Sequence, residues 1–252
     1  LDAPRYLALV AKTMNGVAGT PGRQVQSVAQ ASFDAWVKHY RPDENTANAT
    51  VSYYTKGSLV ALALDLTLRK ERHGSLDGVM QRLWRKAEGG AIDEADIAAA
   101  LREVGARGYE DELAQWVHGT AELPLQALLD EFGVSVRTAA LPFAATLGLR
   151  LSEGALSGVH VKAVAAGSAA SAAGVAAGDE LLAVDSWRVR RLEDARQWLV
   201  ADAAFELLLV RDQRLVTLRV QPPPTPGTAL TLALADKPSA AAASLRRAWL
   251  GA

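Results

Sequence analysis

Val51-Ser-Tyr-Tyr-Thr-Lys-Gly-Ser58 runs without a break into Leu59-Val-Ala-Leu-Ala-Leu-Asp-Leu-Thr-Leu68. The second half is about half the length a bilayer span requires and carries Asp65, so it reads as a helix buried in a protein core. Its head is polar and aromatic. A tyrosine two residues before Lys-Gly, at the start of such an anchored helix, holds its phenol rigidly at the edge of a cleft. A fixed hydroxyl donor aimed at an oxygen that turns negative lowers a barrier by about 2.7–4 kcal/mol.

Working outward, the spacing predicts further helices on both sides. Asp2 and Pro4 start one with Tyr6, Leu7 and Val10 on a single face. Ser32 is placed to cap another carrying Phe33, Trp36 and Val37, stopped at Arg41-Pro42 because proline disfavours a helical residue before it. Residues 41–50 are a polar loop, and the central helix spans roughly 51–72, ending at His73-Gly74. Ser75 and Asp77 lead into Val79, Met80, Leu83 and Trp84, and Asp93 opens a helix with Ile97, Ala100, Leu101 and Val104, ended by Gly105. Tyr109–Val117 and Pro124–Phe132 are shorter, with Gly119 and Gly133 as stops. The expectation is an all-helical subdomain over 1–138.

After Pro142 the texture changes. Leu147–Leu151 and Val159–Val164 alternate as half-buried strands do, and Gly167–Gly174 reads as a turn or two of helix. Gly178–Asp185 is a tight turn and a buried strand, Arg191–Val200 a helix, and Phe205–Arg211 with Leu215–Val220 a hairpin around Asp212-Gln213. This gives a second unit over 142–221. From 222 to 252 follow a proline-rich linker that offers few ladder donors, a strand at Ala229–Ala235 and a helix at Ser239–Leu250 expected to pack back. The fold class is therefore multidomain α and α+β.

With 252 residues, half of them hydrophobic, and a net charge of −1, nothing in the composition favours nucleic acid or an anionic membrane as partner. Cysteine is absent, which excludes disulfides and thiolate chemistry and fits a reducing, cytoplasmic compartment better than a periplasmic one. The histidines are His39, His73, His118 and His160, and none lies four residues from another, so no metal-ligand pair is expected.

Asp34-Ala-Trp36, Tyr40-Arg-Pro-Asp-Glu-Asn45 and Ser52-Tyr-Tyr-Thr-Lys-Gly57, in this order, resemble the glycyl aminopeptidase family of zinc metallopeptidases. The related alanyl-type enzymes share the Tyr-x-Lys-Gly segment, whose tyrosine meets the tetrahedral intermediate opposite the zinc. The resemblance implies that Tyr54 is the transition-state residue, with Tyr53 a packing residue at the cleft and Asp43, Glu44 and Asn45 either lining it or forming a capping turn. It implies zinc in the intact parent, held by a His-Glu-x-x-His motif that this sequence lacks. The chain is thus expected to be the C-terminal part of a larger enzyme, completed by its N-terminal part, inactive alone, and acting in the intact form on peptides with an N-terminal glycine or other small residue. Lys56 reads as a solvent-facing lysine and Gly57 as a point of close helix approach. Asn48-Ala-Thr50 matches a glycosylation acceptor, a motif short enough to arise by chance.

Gly167-Ser-Ala-Ala-Ser-Ala-Ala-Gly174 with Gly178-Asp-Glu-Leu-Leu-Ala-Val-Asp185 is similar to PDZ domains of bacterial proteases. That resemblance implies a groove for a peptide or protein C-terminus, with backbone amides of Leu147-Gly148-Leu149 cradling the carboxylate and residues 149–151, including Arg150 and Leu151, receiving the strand. Leu192, Arg196 and Leu199 would form the far wall. Thr146 stands where many such domains have a first glycine and Ser186 where the hairpin glycine is usual. A groove filled by a neighbouring segment is the competing expectation, and a purely peptide-binding module without enzymatic activity is the alternative function.

Overall fold

The computed structural model describes residues 2–154 and 156–251. The helical part opens with α1 (Ala3–Ala18), whose Asp2 side chain accepts from Arg5 N and whose Leu7, Val10, Ala11, Met14 and Val17 are buried. α2 (Val28–Phe33) is capped by a reciprocal Ser27–Gln30 box, so Ser27 and not Ser32 begins this helix. A π-helical turn, Ala35–His39, follows directly. It turns Phe33, Trp36 and Val37 outward, where each is more than two-thirds exposed, instead of onto a buried face.

α3 (Thr46–Ala49) is one turn long, and α4 (Tyr53–Lys70) is the central pillar. Seven apolar side chains of α4, Leu59, Val60, Leu62, Ala63, Leu64, Leu66 and Leu68, are buried. They face several sides because α1, α2 and the later helices surround it; each buried leucine or valine contributes about 1.5–3 kcal/mol. Around it stand α5 (Leu76–Ala87), α6 (Glu94–Gly105), α7 (Glu110–Leu113) with a second π-helical turn at Ala114–His118, and α8 (Leu125–Glu131). Among the described residues no helix is long and apolar enough to cross a membrane.

The subdomain is not helical throughout. β1 (Val134–Ala140) pairs antiparallel with β8 (Thr228–Leu234), Val134 opposite Leu234 and Ala140 opposite Thr228. Its partner lies at the other end of the chain, and no local pattern announces a strand whose mate is so distant. The Asn15 side chain edges this ribbon, donating to Leu230 O at 2.8 Å and accepting from Leu230 N at 2.7 Å. α11 (Ala240–Leu250) follows β8, and Trp249 sets its ring edge-on against Tyr6 and Phe132, at 5.7 and 5.6 Å between centroids. Leu230, Leu232, Leu234, Leu245 and Trp249 all pack on the helical core.

Between β1 and β8 the chain builds a second core. After α9 (Phe143–Thr146) come β2 (Leu149–Gly154), β3 (Gly158–Val164), α10 (Ala169–Ala173), β4 (Glu180–Val184), β5 (Trp187–Arg188), β6 (Phe205–Arg211) and β7 (Arg214–Val220). The sheet runs β2-β3-β4-β6-β7, with β5 on β4, leaving β2 at one edge. Asp185 and Ser186 both have positive φ, as a two-residue hairpin of the favoured twist needs, so serine takes the strain that glycine avoids. Buried Asp179 is held by Arg211 through two bonds of 2.8 Å. The helix expected at 191–200 is only a 3₁₀ segment, Leu192–Gln197. Trp198, beyond its end, stacks instead on Trp187 at 5.4 Å.

Candidate active site and peptide groove

One π-helical turn and the first turn of α4 bring the tyrosines together. Tyr40 ends the Ala35–His39 turn, its N–H donating to Ala35 O at 3.0 Å, and such wide turns recur at functional sites. Ser52 caps α4, accepting weakly from Thr55 N at 3.4 Å, and this places Tyr53 and Tyr54 in the first turn. The hydroxyls of Tyr40 and Tyr54 lie 2.9 Å apart and those of Tyr40 and Tyr53 3.3 Å apart. The Tyr53 and Tyr54 rings stand 4.3 Å apart, with the His39 ring 5.2 Å from the first and 5.7 Å from the second.

Tyr54 is 58% exposed, whereas Tyr53 is half-buried and packs against the helical core. Hydrogen bonds from Tyr40 and then Tyr53 lower the Tyr54 phenol below its ordinary value; the same network, led by Tyr40, raises Tyr53. A phenol acidified in this way is a stronger donor toward a developing oxyanion. Tyr40 and His39 are the members that spacing alone did not single out. Tyr40 stands inside the Tyr-Arg-Pro motif, and its position just before Arg41-Pro42, where the helix must stop, was the available signal.

Asp43, Glu44 and Asn45 are exposed beside this cluster. Asp43 Oδ1 accepts from Asn45 N at 3.0 Å and from Thr46 Oγ1 at 2.9 Å, a self-contained turn that delivers the chain to α3. Lys56 departs from expectation. It is 3% exposed, its Nζ donates to Arg23 O at 3.2 Å, and burial lowers its pKa. Gly57 leaves ordinary room: a Cβ there would meet Val28 at 3.8 Å, so close helix approach does not require glycine.

Among the described residues no group of three His, Cys, Asp or Glu side chains is arranged to hold a metal. His118 pairs with Glu94 and His160 with the Ser157 carbonyl, each at 2.6 Å, while His39 sits in the aromatic cluster.

At the other candidate site, Leu147 and Leu149 are buried, Gly148 has φ +82°, and Arg150 is exposed next to half-buried Leu151. Two of the three amides expected to cradle a carboxylate, those of Leu147 and Gly148, bond inward within the Pro142–Gly148 turn. Thr146 N donates to Pro142 O, Leu147 N to Phe143 O and Gly148 N to Ala145 O, at 2.9, 3.1 and 3.0 Å. Across the groove Leu192 is buried in the core, Arg196 is exposed and Leu199 is half-buried. Two carboxylates span the gap: Glu153 of β2 accepts from Leu192 N at 2.8 Å, and Glu193 accepts from Phe143 N at 2.7 Å.

The tyrosine cluster and its flanking motifs fall in one stretch of known sequence. Residues 1–60 match the M61 glycyl aminopeptidase family. Residues 160–211 match the PDZ domain. The chain thus joins a segment that matches the M61 family to one that matches the PDZ domain. Its whole fold is similar to an aminopeptidase N family protein from Idiomarina loihiensis, with a TM-score of 0.87 and 26% identity, over 99% of this chain and 45% of that one. The chain therefore spans less than half the length of that relative. The PDZ domain of HtrA3 bound to a phage-derived ligand (FGRWV) is matched at 14% identity over 38% of this chain and 93% of that one, with a TM-score of 0.29, too low to carry an argument. No curated protein matches the chain.

Proposed function

We propose that this chain is the C-terminal portion of an M61-type aminopeptidase that removes glycine or another small residue from peptide N-termini, and that Tyr54 is its oxyanion donor. The observation that carries the reading is the exposed Tyr54 hydroxyl, acidified by Tyr40 at 2.9 Å, inside the M61-matching segment. A phenol held on the first turn of a buried helix loses little orientational freedom when the carbonyl oxygen becomes negative. Half-buried Tyr53 backs the ring of Tyr54; with Tyr40 as donor in their 2.9 Å hydrogen bond, Tyr54 keeps its own proton for a substrate oxygen.

In this reading, zinc and a general base would be held by another part of the intact enzyme and, when bound, would supply a water acidic enough to attack a carbonyl. The chain alone is expected to hydrolyse nothing, with or without added zinc. The PDZ domain is proposed to bind an extended peptide along β2, after the Pro142–Gly148 turn opens. The inward-bonded amides give less support to a pure peptide-binding module.

The test is steady-state hydrolysis of glycyl and alanyl chromogenic substrates by the intact enzyme and its Tyr54→Phe variant. We expect kcat to fall roughly a hundredfold with KM little changed. A variant with near-normal kcat makes Tyr54 a packing residue and removes the mechanism.

A further inference from the structure

Asn48 lies between the Asp43–Asn45 turn and the end of β3 and bonds to both. It sits in α3, a single turn too short to hold itself together, so its place is fixed by what it touches. On the PDZ side, Asn48 Nδ2 donates to Val164 O and Asn48 Oδ1 accepts from Ala166 N, each at 2.9 Å. One side-chain amide thereby supplies the donor and acceptor that a neighbouring strand would offer at the end of β3. On the tyrosine side, the same Nδ2 donates to Asn45 Oδ1 at 3.1 Å, and Asn45 belongs to the Asp43 turn that follows Tyr40.

The chain of contacts continues into the peptide groove. Between Val164 and Ala166, Ala165 N donates to Gly148 O at 2.8 Å, and Val164 pairs with Leu149. The loop that would cradle a peptide carboxylate is therefore one residue from the Asn48 contacts. At the other end, buried Thr50 is wedged against Gly22 and bonded to Gln26, which keeps α3 from drifting with the PDZ domain. A glycan on Nδ2 would occupy the atom that makes two of the three bonds.

We propose that Asn48 is a positioning residue that clips the Asp43–Asn45 turn of the tyrosine site to the β2–β3 end of the PDZ domain. Its catalytic consequence rests on the role of Tyr54 above; the clip itself does not.

Hydrogen exchange on this chain tests the clip directly. In Asn48→Ala the Ala166 amide should exchange at least about tenfold faster, and residues 43–50 should lose protection with it, while β6 and β7 keep theirs. If Ala166 loosens and residues 43–50 do not, Asn48 serves the PDZ domain alone and the proposal is wrong. Asn48→Asp keeps an acceptor for Ala166 but turns a carboxylate oxygen toward the Val164 and Asn45 oxygens, so it should loosen residues 43–50 while sparing Ala166. In the intact enzyme Asn48→Ala should lower kcat on a glycyl substrate about three- to tenfold with KM within about twofold. Unchanged kcat overturns the positioning role. An intact enzyme without aminopeptidase activity sinks the Tyr54 reading, and the exchange comparison still decides the clip.

Discussion

The Tyr40 and Tyr54 hydroxyls, 2.9 Å apart, tie the end of a π-helical turn to the first turn of the central helix. Tyr40 is the first cause of the lowered Tyr54 pKa. Removing it in Tyr40→Phe should raise that pKa, so Tyr54 keeps its proton to higher pH. The alkaline limb of kcat in the intact enzyme should move upward, while kcat at neutral pH falls about three- to tenfold because the donor is weaker. A limb that stays put, or moves down, contradicts the assignment.

Glu71 lies at the end of α4 under a different network. Burial alone would raise its pKa, but Arg107 donates at 2.8 and 3.0 Å and the Tyr109 hydroxyl at 2.6 Å, and these bring it below the ordinary 4.5. A carboxylate with a depressed folded pKa contributes stability above its unfolded value, lost as pH falls through the folded one. Thermal unfolding should therefore show a stability drop below about pH 4.5 that Glu71→Gln lessens. Identical pH profiles for the two proteins would falsify this.

Two buried-side glycines should respond in opposite directions. Gly57 is helical with free space, so Gly57→Ala should stabilise by about 0.5–1 kcal/mol in urea unfolding. A Cβ on Gly22 would come within 2.2 Å of the Thr50 backbone oxygen, which cannot swing aside as a side chain does. Gly22→Ala should cost at least about 2 kcal/mol. Equal effects at the two positions would refute the packing described around α3.

Trp249→Ala removes the edge-on contacts with Tyr6 and Phe132 and should destabilise by about 2–4 kcal/mol. Urea unfolding monitored by far-UV circular dichroism checks it; a loss under about 0.5 kcal/mol means the tail is only loosely attached.

Much of the tyrosine site was legible because its residues are local. Asn45, Ser52, Tyr53, Tyr54 and the apolar run behind them lie within one stretch, and a buried helix with a polar head follows from that pattern alone. Lys56 was not legible, since a lysine between Thr55 and Gly57 carries no sign that Arg23 O waits for it inside. The state of the groove was not legible for a similar reason. Leu147-Gly148-Leu149 fits an amide cradle, yet whether the Leu147 and Gly148 amides point outward depends on Phe143 O and Ala145 O, which accept them.

Local pattern in the chain set most of the elements, though not β1 or the 3₁₀ form of Leu192–Gln197: hydrophobic period, caps such as Asp2 and Asp93, and the turn pairs Asp185-Ser186 and Asp212-Gln213 are short-range signals read within a few residues. Tertiary structure alone decided which distant segments meet. β1 found β8, Asn15 found Leu230, and Asn48 found Val164 and Ala166. Each of those polar partners is satisfied by a group that no local spacing specifies, because a hydrogen bond between residues far apart in the chain exists only after the intervening core has packed.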